Sequence, residues 1–392
     1  MSTSNESVNE GATTNLDDDS QFESEDTSAS DLPLKPWNPK DIRITTKTFT
    51  VREIFTQISD GELDLAPDFQ RAFVWTPKQQ VRLIESILLG IPLPAFYFNQ
   101  DETGAHQVVD GVQRLTTIKL FMSDQLTLAK HLEYLSTLEG SIFTKLDPTT
   151  RRRFSGTQIV VHVIETQTPD EVKYDIFNRV NTGGTPLSPQ EIRHCMSKSR
   201  SRNFLKSLVE LPSFDRAMDG MFWKTDPVSG TRIRDSRRML DRELALRFCA
   251  FSTVPISEYA KAVSLDTFLL EFTRRIDTQS DPNLDLEKLK QVFDQGMENC
   301  FAVMAKGAFR RWPPQATRRG PLNRAVFESQ AIALAQYPLA KLLPHKDAIQ
   351  GAFRTLFNNY KYEDAVRTGT GDYRKVEARL SLPRHEIARI LT

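Results

Sequence analysis

One stretch of the sequence combines residue types that bind phosphate with the spacing of a strand, a turn and a helix. An apolar run ends at Asp110, Gly111 permits a sharp turn, and an apolar-periodic helix is predicted to begin near Val112. The unpaired amides in the first turn of such a helix, at the positive end of its dipole, form an anion site. Arg114 adds a bidentate phosphate donor, Asp110 a carboxylate for a metal ion, and Gln113 an amide that orients phosphate or water.

An ordinary turn accounts for the same residues without any ligand. Asp-Gly is a frequent turn pair, and an arginine in a first helical turn is commonly solvated. The stretch is neither a Walker A loop nor a dinucleotide fingerprint, because the chain contains no Gly-x4-Gly-Lys-Ser/Thr and no Gly-x-Gly-x-x-Gly. From spacing alone, both interpretations stay open.

Two further clusters place polar groups beside apolar ones. Residues 67–75, Pro-Asp-Phe-Gln-Arg-Ala-Phe-Val-Trp, precede a predicted helix, and their alternative interpretation is a hydrophobic staple with Arg71 over an aromatic ring. Residues 177–185, Phe-Asn-Arg-Val-Asn-Thr-Gly-Gly-Thr, join a helix end to a Gly-rich loop. Taken alone, the second cluster is typical of a helix C-cap.

The elements that must position these clusters alternate between strand and helix from residue 35 to residue 195. Three strands are predicted, at Ala95–Phe98, Gln107–Val109 and Ile159–Ile164. Helices are predicted from Thr76-Pro77 to Gly90, from Thr168-Pro169 to Val180, and from the Ser188 capping box onward. This segment is therefore predicted to be a mixed α/β domain.

Residues 196–392 are predicted to form an α-helical domain. Their apolar residues recur at helical spacing in five segments: Asp241–Phe251, Leu265–Ile276, Leu284–Met304, Asn323–Gln336 and Ala348–Phe357. Loops are expected near Trp223–Gly230, Trp312–Pro314 and Thr368–Gly371. The predicted fold class is thus α+β, a mixed α/β domain followed by an all-α domain.

The charge of the chain is unevenly distributed. The 392 residues contain 51 basic and 51 acidic side chains, but residues 1–34 contain nine acids and no lysine or arginine. The remaining 51 basic and 42 acidic residues leave a surplus of nine positive charges. The acidic segment is too polar to offset its ordering entropy, so we predict a disordered tail. We also hypothesise that this tail masks a basic surface.

Arginine and lysine clusters are candidates for contact with a nucleic-acid backbone, although the sequence slightly favours solvated helix faces and loop charges. Several of them flank aromatic residues. The clusters are Arg151–Arg153, Lys198–Arg202, Arg232–Arg238, Arg310-Arg311 and Arg318-Arg319. The clusters therefore make DNA a candidate partner, and both interpretations stay open.

The remaining composition favours a cytoplasmic protein. No apolar run reaches the roughly 20 residues that span a bilayer, and no basic segment followed by an apolar one marks secretion. The three cysteines lie far apart without a CxxC pair, and the six histidines form no His-Asn-His arrangement. His162, within an apolar strand, is expected to be a hydrogen-bonded core residue. A homo-oligomer is compatible with the sequence.

Taken together, the three clusters resemble the GmrS-like N-terminal domain family of GmrSD-type modification-dependent restriction enzymes. That family is marked by a Gln-Arg ahead of a Trp, an Asp-Gly-Gln-Gln-Arg box opening a helix, and a Phe-x-Arg-x-Asn-Thr-Gly-Gly segment. The same order occurs here as Gln70-Arg71 with Trp75, as Asp110–Arg114, and as Phe177–Gly184. The resemblance covers roughly residues 45–195 and implies a ParB/sulfiredoxin-like fold.

The resemblance also implies an activity: binding and hydrolysis of a nucleoside triphosphate, GTP or ATP, with Mg²⁺, in a bacterial phage-defence system. It assigns the catalytic roles to Asp110, Gln113 and Arg114, with Asp110 also as the metal ligand. Nucleotide contacts are implied for Gln70, Arg71, Gly111, Thr116, Thr117, Arg179 and Asn181. Relatives often act with a nuclease module, so a nuclease partner protein is expected.

One departure falls inside the box, where Val112 replaces the first glutamine of the family. If that amide contacts phosphate or water in the family, this chain binds nucleotide without turnover. Two alternatives to an NTP-hydrolysing component therefore stay open: a nucleotide-gated DNA-binding adaptor, and a self-sufficient metal-dependent DNA nuclease.

Overall fold

The computed structural model describes residues 22–25, 38–65, 75–101, 104–128, 132–180, 187–226, 229–236 and 238–392. Within these residues the order of elements is a mixed α/β half followed by a helical half, so the predicted fold class is confirmed. Gln70, Arg71 and Asn181 lie outside the described residues, and so does the acidic tail apart from residues 22–25.

The strands of the first half are β1 (Ile44–Thr50), β2 (Leu63–Asp64), β3 (Phe96–Gln100), β4 (His106–Asp110) and β5 (Gln158–Ile164). They form one sheet in the order β1-β5-β3-β4-β2. The β1–β5 and β3–β4 pairs are antiparallel, whereas β3–β5 and β2–β4 are parallel. The three strands predicted from sequence correspond to β3, β4 and β5.

The helices of the first half are α1 (Val51–Ser59), α2 (Pro77–Leu89), α3 (Val112–Met122), α4 (Pro148–Gly156), α5 (Asp170–Val180) and α6 (Pro189–Met196). The predicted capping box of α6 is present, and α2 has one as well: Thr76 accepts a hydrogen bond from the Gln79 amide, and Ser188 accepts one from the Glu191 amide. Gly90 ends α2 in the left-handed conformation, as expected for a C-cap glycine.

Two apolar clusters lie on opposite faces of the sheet. Alternate residues of β5, among them Ile159, Val161 and Val163, are buried on the face covered by α1–α4. The other face packs against α5 and α6 through a smaller cluster that contains Val109 and Phe177. Because the smaller cluster also includes Leu270 of the helical half, this face of the sheet joins the two halves of the molecule.

The second half contains eleven helices among its described residues: α7 (Ser199–Val209), α8 (Pro212–Ala217), α9 (Leu240–Thr253), α10 (Ile256–Tyr259), α11 (Leu265–Thr278), α12 (Leu286–Met304), α13 (Arg324–Leu334), α14 (Leu339–Leu342), α15 (Lys346–Leu356), α16 (Tyr360–Arg367) and α17 (Tyr373–Leu391). They enclose one large apolar core. All five helical segments predicted from the apolar spacing are confirmed as α9, α11, α12, α13 and α15.

The loop predicted near Trp223–Gly230 requires a correction. The chain forms an antiparallel hairpin there, with strands β6 (Trp223–Thr225) and β7 (Arg232–Arg234). The guanidinium carbon of Arg232 lies 5.1 Å from the Trp223 ring centre, and that of Arg234 lies 5.7 Å from it. These cross-strand cation–π contacts stabilise a hairpin too short to show strand periodicity in the sequence.

Candidate functional site

The Asp-Gly pair joins strand β4 directly to helix α3. Gly111 has a φ of +102°, which L-residues with a Cβ rarely adopt. A Cβ at this position would lie 2.3 Å from Cδ1 of Phe96, a strand residue of β3. Both the backbone conformation and the close approach of Phe96 therefore require glycine. The predicted strand–turn–helix arrangement is confirmed.

The N-terminus of α3 has no side-chain cap. Gly111 occupies the N-cap position and has no side chain that could accept a hydrogen bond from the first-turn amides. Three of the other described helices, α1, α2 and α6, have complete capping boxes. An uncapped first turn keeps its amides and the positive end of the helix dipole available to an anion.

Asp110 and Arg114 form an ion pair across the first turn of α3. Nη2 of Arg114 lies 2.7 Å from Oδ2 of Asp110. Arg114 also donates to the carbonyl oxygens of Pro94 and Ala95, and its guanidinium carbon lies 4.2 Å from the Phe96 ring centre. Burial lowers the pKa of Arg114, and the Asp110 carboxylate opposes that shift. The guanidinium therefore links helix α3 to Pro94 and Ala95, the residues just before β3.

A β-bulge sets the position of Asp110. The register between β3 and β4 shifts, so that Phe98 pairs with Val108 while Tyr97 pairs with Asp110. Val109 is consequently the extra residue, and its side chain joins the smaller apolar cluster. The bulge thus brings Asp110 opposite Tyr97 at the end of the strand.

A row of polar residues continues from Asp110 across the sheet. Tyr97 pairs with His162 of β5, and His162 pairs with Thr46 of β1. The Tyr97 and His162 ring centres lie 5.0 Å apart, and Oγ1 of Thr46 lies 2.9 Å from Nδ1 of His162. The expected hydrogen bond of His162 is confirmed, but its side chain is half-buried and the expectation of a core residue was wrong. The sequence reasoning missed Tyr97, whose only signal is its alternation with the buried Phe96 and Phe98.

Gln113 presents an unpaired polar atom next to the ion pair. Its Oε1 is buried and has no hydrogen-bond partner among the residues that the structure describes. A buried amide oxygen without a partner is energetically unfavourable, so a water or a ligand that donates a hydrogen bond would stabilise it.

The two threonines of the box differ in accessibility. Thr117 is fully buried, and its hydroxyl donates to the Gln113 carbonyl at 2.8 Å, which occupies its proton within the helix. Thr116 is half-buried. Val112 packs against the main apolar core of the α/β half. Thr116 is therefore better placed than Thr117 to reach a ligand.

The described part of the third cluster, Phe177–Val180, lies on α5, which together with α6 contacts β4. Phe177 is fully buried in the smaller apolar cluster and fixes that helix on the sheet. Arg179 is 77% exposed and forms an ion pair with Asp175 at 3.0 Å. Of the first cluster, Trp75 is described and packs against the main core of this half. The packing thus brings α5 to the strand that ends at Asp110.

Several arginines of the predicted basic clusters are bonded within the protein. Arg202 and Arg310 donate to the carbonyls of His194 and Gly320. Four more have internal acceptors: Arg153 donates to the Leu88 carbonyl, Arg234 pairs with Asp215 and Asp241, Arg238 with Glu191, and Arg311 with Glu23 and Glu363. Such arginines position structural elements and contribute less to an open cationic surface. Contact with DNA stays a prediction.

Among the described residues, no group of three or more His, Cys, Asp or Glu side chains is arranged to hold a metal ion. The three cysteines are buried and free, and burial raises the pKa of the Cys249 and Cys300 thiols.

The fold is a mixed α/β half in which strand β4 leads through Gly111 into a helix whose N-cap residue has no capping side chain. Residues 51–197 match the family described as "GmrSD restriction endonuclease, N-terminal domain". This part of the chain is therefore similar to that N-terminal domain, and the predicted resemblance over roughly residues 45–195 is confirmed. No curated protein matches the chain.

Within the described part of the chain, every helix is too short or too polar to cross a bilayer.

Proposed function

We propose that the β4–Gly111–α3 site binds the phosphates of a nucleoside triphosphate. The observation that carries this proposal is the N-terminus of α3, where Gly111 provides no side-chain cap for the first-turn amides. Beside it, the buried Oε1 of Gln113 has no hydrogen-bond partner among the described residues and would accept one from a water that contacts the phosphates. An anion at a helix N-terminus is stabilised by the first-turn amides and the dipole together. The family description supports a place for this binding in a restriction-like, DNA-directed defence system.

Each residue of the box has a distinct role in this proposal. The first-turn amides donate hydrogen bonds to phosphate oxygens, and Gln113 orients a phosphate or a water through its side-chain amide. Arg114 is 12% exposed in its side chain and already bonded to Asp110 and to two carbonyls. It is therefore a positioning residue that shares its charge with a phosphate, rather than a free phosphate clamp.

Asp110 fits the requirement for a magnesium ligand. Its side chain is 26% exposed, and one of its two oxygens is bonded to Arg114. Mg²⁺ is commonly held by one or two carboxylates together with substrate phosphates and water. When bound, the ion would neutralise phosphate charge and polarise a phosphoryl oxygen. The proposed cofactor is accordingly an NTP, GTP or ATP, with Mg²⁺.

A second candidate function is a nucleotide-gated adaptor that binds without turnover. Val112 favours it, because this residue packs against the apolar core where the family box has a polar amide. In either case the proposed partners are DNA and a nuclease protein that acts with this chain. Hydrolysis distinguishes the two functions, and binding does not.

Isothermal titration of the full chain with ATP and GTP, with and without Mg²⁺, tests the binding site. We expect Gln113→Ala to weaken binding about tenfold through loss of one hydrogen bond. Asp110→Asn should abolish the magnesium dependence while the protein stays folded. Lys119→Ala is the matched control, because Lys119 is exposed farther along the same helix. A wild-type chain that binds no nucleotide would contradict the proposal.

Phosphate release separates the hydrolase from the adaptor. A hydrolase releases phosphate from wild-type chain and loses this activity in Asp110→Asn. An adaptor binds nucleotide but releases none, and Val112→Gln should then gain turnover if the missing amide is the cause. An inactive Val112→Gln with intact binding would exclude residue 112 as the determinant.

A further inference from the structure

Four residues of the acidic N-terminal segment are held on the helical half of the molecule. Phe22 forms a parallel β-bridge with Leu322, and the Glu23 amide donates to the Leu322 carbonyl at 2.8 Å. The Phe22 ring packs on the helical core, with its centre 5.9 Å from that of Phe222. Ser24 points outward and is exposed. A ring and two carboxylates therefore face the protein around one exposed residue.

Glu25 inserts its carboxylate among helices α9, α13 and the loop before α17. Arg247 of α9 donates to both carboxylate oxygens, at 2.9 Å and 2.7 Å, in a bidentate pair. The Thr370 hydroxyl donates to Oε1 at 2.7 Å, and Arg324 lies 3.7 Å from Oε2. The Glu25 side chain is only 9% exposed. This is recognition of a carboxylate in a built pocket, and not a surface ion pair.

Glu23 is recognised by a second set of donors. Nη1 of Arg311 lies 3.2 Å from its Oε1, and Nδ2 of Asn323 lies 3.0 Å from its Oε2. The Glu23 carbonyl accepts a hydrogen bond from Arg324 at 3.3 Å. Since Arg324 approaches both Glu23 and Glu25, it connects the two carboxylate positions. The pocket therefore binds both the backbone of the segment and its two carboxylates, so it selects for two glutamates at this spacing.

The charge balance of the buried network depends on Glu25. Ion pairs among described residues link four arginines with four acids: Arg193, Arg247, Arg324 and Arg379 with Glu25, Glu243, Asp266 and Glu328. Without Glu25 the same network holds four arginines and three acids. A buried uncompensated cation is strongly unfavourable, so the pocket requires an anion whether or not the tail supplies it.

We propose that this pocket is a recognition site for acidic peptide segments of the form Phe-Glu-x-Glu, and that residues 22–25 are its exchangeable resident. An edge β-bridge combined with arginine recognition of carboxylates is an established way to bind short linear segments. The footprint of four residues is small, so cis attachment supplies much of its occupancy through effective concentration. A partner protein that carries the same pattern competes for the pocket. The inference does not depend on the nucleotide site.

Protection from a glutamate-specific protease tests docking in the full chain. Cleavage after Glu23 and Glu25, followed by mass spectrometry and referred to cleavage after Glu10, reports how often the segment leaves the pocket. Thr370→Val removes one hydrogen bond to Glu25, and we expect cleavage about tenfold faster. The matched control is Thr368→Val, in the same loop but exposed and bonded to Asp364.

Arg311→Gln gives a second, independent test at Glu23. Equal cleavage rates in wild type and both pocket variants would overturn docking.

Binding in trans tests exchange. A fluorescein-labelled peptide spanning residues 19–28 is titrated into full-length Phe22→Ala/Glu25→Gln chain, whose own segment no longer fits, and anisotropy is measured. We expect at least about tenfold tighter binding than to wild type, whose pocket is filled. The same peptide with Glu25→Gln is the control and should bind at least about tenfold more weakly.

Each remaining outcome overturns the proposal. Absence of peptide binding to the double variant would make residues 22–25 a fixed structural strand. Equal binding of both peptides would reduce the interaction to non-specific charge. Displacement of the peptide by a DNA oligonucleotide, with no displacement by unlabelled peptide, would assign the pocket to nucleic acid.

Discussion

The site at the start of α3 and the buried network of the helical half contain the same types of charged residue but differ in how completely these residues are paired. At the start of α3, one arginine and one aspartate are partly accessible, and a buried amide oxygen beside them lacks a partner. In the helical half, the buried network matches each of its arginines with an acid, and one of those acids comes from the N-terminal segment. At the α3 site a buried acceptor oxygen lacks a partner among the described residues, whereas in the helical half every carboxylate of the network is paired with an arginine.

The comparison also separates local from long-range construction. Asp110 and Arg114 are four positions apart, and strand β4, Gly111 and helix α3 place them without help from distant sequence. Arg247 and Glu25 are 222 positions apart. Their contact exists only after the helical core has formed. The first site is therefore expected to tolerate perturbation of the helical half, while the second is not.

The largest effect is expected where the network is most buried. Arg379 and Glu328 pair at 2.6 Å with side chains that are both 0% exposed. Arg379→Leu leaves Glu328 with one partner fewer in a dry environment, and we expect a loss of about 3–5 kcal/mol in the free energy of unfolding. Chemical denaturation measures it.

The same helix provides the control for that variant. Arg389 pairs with Glu386 at 2.7 Å, but its side chain is 74% exposed. Arg389→Leu should cost less than about 1 kcal/mol, because solvent screens an exposed pair. Equal destabilisation by the two variants would contradict the distinction between buried and exposed pairs.

The second effect is a pH dependence of docking. Burial opposes the ionisation of Glu25, but the charge and hydrogen bonds of Arg247, with Arg324 and Thr370, outweigh burial and lower its pKa from 4.5 to about 2. A depressed pKa contributes stability that is complete above pH 4.5 and is lost as the pH falls toward 2. The charged and polar groups that face Glu25 are Arg247 and Glu243 on α9, Arg324 and Glu328 on α13, Thr370 in the loop before α17, and Arg379 on α17.

We expect the difference in unfolding free energy between wild type and Glu25→Gln to be about 3 kcal/mol at neutral pH. It should shrink steadily from pH 4.5 to pH 2. Urea denaturation at several pH values checks it. Glu10→Gln, a change of equal charge in the same acidic segment, is the control and should show no such trend. A difference independent of pH would refute the role of the Glu25 charge.

The third effect concerns the turn at Gly111. Gly111→Ala brings a Cβ to 2.3 Å from the Phe96 ring in addition to the strain of φ +102°. We expect about 2–3 kcal/mol of destabilisation and loss of nucleotide binding.

Gly140→Ala separates the two causes, because Gly140 has φ +78° but nothing within 4 Å of its added Cβ. The control should cost only about 1 kcal/mol. A Gly111→Ala variant no less stable than Gly140→Ala would remove the argument for close approach.

Local signals in the sequence predicted the elements around the first site. Thr76 and Ser188 predict the starts of helices because they are capping residues. Gly90 predicts the end of a helix, and Asp110-Gly111 predicts a turn into a helix. Each of these signals acts over a few residues, and the structure confirms all four. They place the candidate site on its strand and helix.

Other features have no local signal. The bulge at Val109 arises from pairing with β3, and the β6–β7 hairpin depends on arginines that pack on Trp223 across strands. In the sequence, Glu25 is one of several charges in a polar tail, but in the structure its carboxylate completes a buried network. Such contacts depend on residues distant in sequence, so composition predicts disorder where the fold supplies a pocket for residues 22–25.

The smallest effect is also the most discriminating between a structural and a functional role for the α3 site. Gln113→Leu removes a buried acceptor that has no partner among the described residues, at nearly constant volume. Replacing an unsatisfied polar group with an apolar one is expected to stabilise the protein by up to about 1 kcal/mol. The same variant should bind nucleotide at least about tenfold more weakly, because the ligand-facing amide is lost. Thermal denaturation and titration calorimetry on one preparation measure both quantities. A loss of stability with unchanged nucleotide affinity would make Gln113 a structural residue, and opposite changes in the two quantities would identify a group kept unsatisfied for a ligand.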